Sequence, residues 1–169
     1  MTALVEGFFA SAWFSWGQAD PPEGMVRFLE VGSIVAILVA IAGGILVYRS
    51  PAASTPMADP DVRKRYSVLV GIEFGTLAIG AIILGLLGWS DYIPVMVCAG
   101  VGLHFFPLAQ VLRSRMLVPL GVLLIIVAGV ALVVGTSTGI AMSAITGAGA
   151  GGFLLLFACL SLADLPRST

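Results

Sequence analysis

Five long apolar runs dominate the hydrophobic pattern of this chain, and few charged side chains interrupt them. A helix needs about 20 apolar residues to cross the roughly 30 Å hydrocarbon core of a bilayer, and each run is long enough. The pattern therefore predicts one transmembrane domain, residues 1–169, built as an all-α bundle of five transmembrane helices. The predicted spans are about residues 21–48, 61–88, 91–113, 116–135 and 138–163.

Residues 3–18 precede the first span and show a different pattern. Apolar and aromatic side chains recur at helical spacing, whereas Ser11, Ser15 and Gln18 collect on the other face. The segment is too short and too amphipathic to predict a span, and Trp is favoured in the headgroup region. We expect an amphipathic helix that lies in the outer membrane interface. The alternative is a helix that caps the bundle without contacting lipid.

Helix-start signals and prolines set the boundaries between these elements. Asp20 and Asp59 are each followed by proline, a combination that favours the start of a helix. Residues 52–60 are rich in Ala, Ser, Thr and Pro and predict a loop. Pro107 lies inside the third span, where its missing N–H predicts a kink.

The basic and aromatic residues at the span ends predict one orientation. Cytoplasmic loops are enriched in Lys and Arg, so the N-terminus is expected outside and the C-terminus inside. Tyr48 and Tyr66 flank the basic loop while Trp89 and Tyr92 flank the opposite turn, as interfacial aromatic belts do. Only Arg27 falls on the outer side, and the inner basic residues are Arg49, Arg63, Lys64, Arg65, Arg113, Arg115 and Arg167.

Composition agrees with a location in the lipid bilayer. The chain is 59% hydrophobic and 10% charged, whereas soluble domains carry about 25% charged residues. Its formal net charge is −1, and no basic run is long enough to indicate nucleic-acid binding.

Two ionisable residues lie deep within the apolar runs. Glu73 is in the second span, and His104, the only histidine, is in the third. Counting about 1.5 Å per helical residue from the inner basic residues places both at roughly 12 to 14 Å depth. Sequential helices with a short turn pack antiparallel and a charge is costly in lipid, so we expect the two side chains to contact each other. The pair is then either a proton-responsive site or a structural polar contact.

Other polar residues are candidates for binding a ligand or a proton near this pair. Thr76 shares a helix face with Glu73, and Ser143 lies in the Gly- and Ala-rich first half of the fifth span. Glu30 is placed to line an outer vestibule at the end of the first span. The small residues around them equally permit tight helix packing.

Gly71 and Gly75 form a G-x-x-x-G pattern on the face of the second span roughly opposite Glu73. Such a face lets helix backbones approach closely, so these glycines are candidates for packing or dimerisation. The expected partners are a second copy of the chain or a larger membrane complex.

The sequence shows no pattern typical of a metal site, a cofactor site or an enzyme. A single histidine without Cys or carboxylates at ligand spacing does not predict a metal site, and neither a catalytic triad nor a phosphate-binding loop is present. Cys98 and Cys159 fall at different predicted depths, which argues against a disulfide. We expect both to be packing residues and expect no metal, no cofactor and no catalytic residue.

The stretch GLHFFPLA at residues 102–109 resembles a G-x-H-F-x-P-L-A signature of uncharacterised small bacterial multi-spanning membrane proteins. The resemblance covers the third span and the general layout of short apolar spans. It implies that His104 and Pro107 belong together and that the location is the bacterial cytoplasmic (inner) membrane. It implies no activity.

Two functional hypotheses follow from these observations. The first is a transporter-like or small-ligand-binding membrane protein whose intramembrane pair, Glu73 and His104, responds to protons. The alternative is a non-catalytic accessory or scaffold subunit of a larger membrane complex, in which the pair joins two helices. The small residues near the pair favour the first hypothesis, and the wholly apolar fourth span favours the second.

Overall fold

A computed structural model describes residues 2–49 and 59–163. Most of the predicted loop at 52–60, and Arg167, lie outside the described residues. Short 3₁₀ turns, Glu23–Met25 and Ser90–Tyr92, precede the second and fourth helices. The α-helices of the described ranges are α1 (Thr2–Gly17), α2 (Val26–Arg49), α3 (Pro60–Leu86), α4 (Ile93–Val111), α5 (Leu117–Thr138) and α6 (Met142–Ala163).

Helices α2 to α6 are each long and apolar enough to cross a membrane. This confirms the prediction of an all-α multi-pass membrane protein. The predicted start of α3 also agrees with the structure, because Asp59 is its N-cap and accepts a hydrogen bond from the Asp61 N–H at 2.9 Å.

Helix α1 differs from the predicted interfacial helix, because it packs lengthwise inside the bundle. A Cβ atom on Gly43 of α2 would lie 2.6 Å from the backbone nitrogen of Leu4. At the other end of α1, a Cβ atom on Gly147 of α6 would lie 2.5 Å from the Cα of Gly17. Only residues without side chains permit such close backbone contact, so α1 is held between α2 and α6 along its length.

Two serines on the polar face of α1 contact a serine of α2. The Oγ atom of Ser33 lies 3.1 Å from the Oγ of Ser11 and 3.0 Å from the Oγ of Ser15. Hydroxyl groups that bond to one another are satisfied without water. An amphipathic helix can therefore be accommodated within an apolar bundle here.

The start of α1 and the end of α6 are in contact. Ser161, near the end of α6, donates a hydrogen bond at 3.1 Å to Glu6, near the start of α1. These two helix ends consequently lie at the same end of the bundle. The predicted placement of the N-terminus outside and the C-terminus inside assumed that α1 lay across the surface, and the side of the membrane on which these ends lie stays a prediction.

The described bundle consists of two packed groups and one peripheral helix. Helices α1, α2 and α6 form one group, and α4 and α5 form the other. A Cβ atom on Gly121 of α5 would lie 2.6 Å from the carbonyl oxygen of Gly102, so α4 and α5 are in backbone contact. Helix α3 packs mainly on α4, and none of its residues is fully buried.

Candidate functional site

The interface between α3 and α4, called here the α3–α4 seam, is formed by side chains that lie against glycines. A Cβ atom on Gly80 would lie 2.5 Å from the Sδ of Met96, and one on Gly100 would lie 2.5 Å from a methyl carbon of Leu77. Each helix thus provides one cleft and one side chain that fills the other's cleft. The two helices are antiparallel and fixed in this register. The residue one turn before Leu77 on α3 therefore meets the residue one turn after Gly100 on α4.

These two residues are Glu73 and His104. The Oε2 atom of Glu73 lies 3.3 Å from the Nε2 atom of His104, and the side chains are 12% and 8% exposed, respectively. Within residues 2–49 and 59–163 this is the only ion pair. The structure therefore brings together the two residues that the depth count placed at one level.

The contact has the distance of an ion pair but lacks the alignment of a hydrogen bond. The Nε2 of His104 is buried and has no hydrogen-bond partner among the described residues. A good charge-assisted hydrogen bond is shorter, about 2.7 to 2.9 Å, and a buried polar atom without an aligned partner is destabilising by about 1 to 3 kcal/mol. One hydrogen-bonding position of the imidazole is therefore unfilled by the protein.

Three other candidate residues do not join this pair. Thr76 is exposed on α3, outside the seam, and Glu30 is exposed near the start of α2. Ser143 lies at the first turn of α6, where its carbonyl oxygen accepts a hydrogen bond from Thr146 at 3.2 Å. The predicted cluster is thus reduced to Glu73 and His104.

The proline and glycine candidates have separate surroundings. Helix α4 runs continuously through Pro107, and the predicted kink stays a prediction. Gly71 and Gly75 are exposed on α3, and a Cβ atom on either would have no neighbour within 4 Å. The G-x-x-x-G face is therefore open and packs against no described helix.

A second buried carboxyl group was missed by the sequence analysis. Glu6 is 6% exposed, and its partner Ser161 is separated from it by 155 positions. Glu6 stands between apolar residues in the sequence. The sequence analysis did not single it out, because it assigned residues 3–18 to the membrane interface. Glu6 joins α1 to α6 and lies in a different helix group from the Glu73–His104 pair.

Two surface grooves among the described residues were compared with the pair, and neither is lined by Glu73 or His104. One, of about 470 Å³, is apolar and includes Phe14, Phe28 and Gly152. The other, of about 490 Å³, lies at the turn between α4 and α5 and includes Arg113 and Arg115. The pair thus lines neither of these two grooves.

No group of three or more His, Cys, Asp or Glu side chains that could hold a metal occurs within the described ranges. Cys98 is buried in α4 and donates to the Leu124 carbonyl oxygen of α5 at 3.3 Å, while Cys159 is exposed. Comparisons with protein-family models, with curated proteins and with solved structures found no match.

Proposed function

We propose that this chain is a multi-pass membrane protein of the transporter-like or small-ligand-binding class, whose activity depends on protonation of the Glu73–His104 pair. The observation that carries the proposal is the ion pair at 3.3 Å in the middle of the α3–α4 seam. The seam is the main contact between α3 and the described bundle. A change in charge at the pair therefore acts on the position of a whole helix.

The charge states of the pair explain why it responds to protons. With one shared proton the pair is either an ion pair or two neutral groups, and both forms have no net charge. Gaining or losing a proton leaves one net charge on the seam, and a charge near the bilayer centre costs about 2.5 to 3.5 kcal/mol on insertion scales. Proton transfer is thereby coupled to the docking of α3.

His104 supports binding of a small ligand only in a state in which α3 moves away from α4, because its Nε2 is buried against Glu73 and lines neither groove. Its buried Nε2 can donate or accept one hydrogen bond, depending on protonation. A small polar molecule that supplies this bond would stabilise one charge state of the pair over the other. Ligand binding and proton binding would then influence each other through the same atom.

A second candidate function is supported by the outer faces of α3. These faces expose large apolar side chains such as Ile72, Phe74 and Ile79, together with the open glycines Gly71 and Gly75. Such a surface also fits an accessory or scaffold subunit in a homodimer or larger membrane complex. In that case the Glu73–His104 pair holds α3 in register and transports no proton.

The distribution of basic residues supports an orientation for the bundle. Arg63, Lys64 and Arg65 begin α3, and Arg113 and Arg115 follow α4, so all five lie at one end. The positive-inside rule assigns this end to the cytoplasm, together with the start of α1 and the end of α6. The resemblance of residues 102–109 to small bacterial membrane proteins supports the cytoplasmic membrane of a bacterium.

The test is proton flux into proteoliposomes that contain a pH-sensitive dye. We expect flux with the wild-type protein, and loss of it in Glu73→Gln and His104→Ala. Glu30→Gln is the matched control, because it removes an exposed carboxylate of α2. Equal flux in all four proteins would remove the proton role. Wild-type flux no higher than that of empty liposomes would reject the proton-transport form of the proposal and favour the accessory subunit.

A further inference from the structure

The groove at the turn between α4 and α5, called here the Arg113 groove, combines two arginines with an apolar wall. Its volume is about 490 Å³, and Phe106, Gln110, Arg113, Arg115 and Val118 are among the lining residues. No lining residue is acidic, and neither arginine forms an ion pair with a described residue. The groove therefore carries positive charge without a compensating carboxylate.

Arg113 adopts a backbone conformation that glycine would adopt more easily. Its φ of 51° makes it the only non-glycine residue with a positive φ in the described ranges. The Arg113 N–H donates to the Gln110 carbonyl at 3.3 Å, and the Ser114 N–H donates to the Ala109 carbonyl at 3.0 Å. These two bonds form a Schellman motif, in which the position of Arg113 is usually glycine. The left-handed conformation costs an ordinary residue roughly 1 to 2 kcal/mol.

Helix α3 ends in the same motif and provides an internal comparison. The Trp89 N–H donates to the Leu84 carbonyl at 2.8 Å, and Gly88 occupies the left-handed position with a φ of 76°. A Cβ atom on Gly88 would meet nothing within 4 Å, so there is space for a side chain at this position. The same turn thus has glycine where there is no groove and arginine where there is one. Strain of this kind points to a role for the side chain.

The start of α5 adds to the positive field of the groove. Met116, the N-cap of α5, makes no side-chain hydrogen bond to the first turn. The N–H groups of a helix start carry a partial positive charge that favours anions. Arg113, Arg115 and the first turn of α5 therefore act on the same space.

We infer that the Arg113 groove binds the phosphate group of an anionic phospholipid. Arginine guanidinium groups bind phosphate oxygens in a bidentate manner, and two arginines line this groove. Phe106 precedes Val111, the last residue of α4, by five positions, which places it about 8 Å further along the helix from the turn that carries Arg113. Phe106 and Val118 then contact the first part of an acyl chain, an interaction that a soluble phosphate lacks. The inference does not depend on the Glu73–His104 pair.

In the test, the intact protein in detergent is titrated with phosphatidylglycerol or with phosphatidylcholine. Native mass spectrometry then counts the lipids bound to each protein molecule. We expect phosphatidylglycerol to bind more tightly than phosphatidylcholine, and Arg113→Gly to weaken its binding by at least about fivefold. Arg113→Gly is expected to unfold at the same or a higher temperature, because glycine suits this turn. The matched control is Arg63→Gln, which removes a basic charge at the same end of the bundle but outside the groove.

Four results would overturn the inference. Equal binding of the two lipids would show that the groove does not select anions. Unchanged phosphatidylglycerol binding in Arg113→Gly, or an equal loss in Arg63→Gln, would show that this arginine is not part of a site. Displacement of phosphatidylglycerol by millimolar inorganic phosphate would assign the groove to a soluble anion instead of a lipid.

Discussion

The Oε2 atom of Glu73 and the Nε2 atom of His104 lie 3.3 Å apart on the α3–α4 seam, the main interface between α3 and the described bundle. Two glycines, Gly80 and Gly100, fix the register that brings them together. Because α3 has no fully buried residue, it has few other contacts to hold it in place. The pair therefore lies on the interface that docks this helix.

The first prediction concerns the coupling between the two residues. Removing one member leaves the other at membrane depth without its partner, and breaking a buried pair in this way costs about 3 to 5 kcal/mol in soluble proteins. We expect Glu73→Leu and His104→Leu each to lower the unfolding midpoint in detergent. The double variant should recover most of the loss, because two apolar side chains fill the seam without a lone charge. Additive losses would show that the residues do not interact.

The second prediction concerns the contact between α4 and α5. Gly121→Ala places a methyl group against the backbone of Gly102, so the helices must separate, at a cost of about 1 to 3 kcal/mol. Gly129→Ala is the control in the same helix, since its Cβ atom would meet nothing within 4 Å. It should be neutral or stabilising by up to about 1 kcal/mol, because alanine favours the helix. Thermal unfolding of both variants measures the difference, and equal midpoints would reject the close α4–α5 approach.

The third prediction separates a buried α1 from an interfacial one. Gly43 and Gly44 are neighbours on α2, but only Gly43 touches the backbone of α1. A Cβ atom on Gly44 would have as its nearest neighbour a methyl carbon of Leu4 at 3.5 Å, which is an ordinary contact. We expect Gly43→Ala to destabilise by about 1 to 3 kcal/mol and Gly44→Ala to have little effect. Indistinguishable unfolding midpoints would mean that α1 does not lie along α2.

The fourth prediction concerns the contact between Glu6 and Ser161. In Ser161→Ala the buried carboxyl group loses its donor, which is expected to destabilise by about 1 to 3 kcal/mol. Ser137→Ala is the control, because its hydroxyl donates only to the Val133 carbonyl of its own helix and is exposed. Chemical unfolding in detergent compares the two variants. A Ser161→Ala effect no larger than that of Ser137→Ala would argue against the link between α1 and α6.

The parts of the fold that were predicted correctly are those governed by the bilayer. Helices α2 to α6 are long and apolar because each must cross a fixed thickness of hydrocarbon. The contact between Glu73 and His104 was predictable for a related reason. Consecutive helices with a short turn are antiparallel, so equal counts from one end give equal depth. A depth count therefore found the pair without any knowledge of side-chain packing.

The features that the sequence analysis did not anticipate depend on contacts between residues that are distant in the chain. The polar face of α1 indicates a surface helix until Ser33 is known to bond to Ser11 and Ser15. Glu6 has its partner 155 positions away, and no local pattern reveals it. Thr76 was assigned to the face of Glu73 by the spacing of a regular helix. The seam is narrower than that face, and Thr76 falls outside it on the exposed side of α3.

The most direct test of the central claim is the protonation state of His104 in lipid nanodiscs. Because it is the only histidine, ¹⁵N-histidine labelling gives an NMR signal from this imidazole alone. Across about pH 4 to 9 we expect the signal to change with pH, and the imidazolium form to be less populated in Glu73→Gln, which lacks the carboxylate. Glu30→Gln should leave the titration unchanged. A titration that is identical in wild type and Glu73→Gln, or an imidazole that never changes state, would contradict a proton-responsive pair.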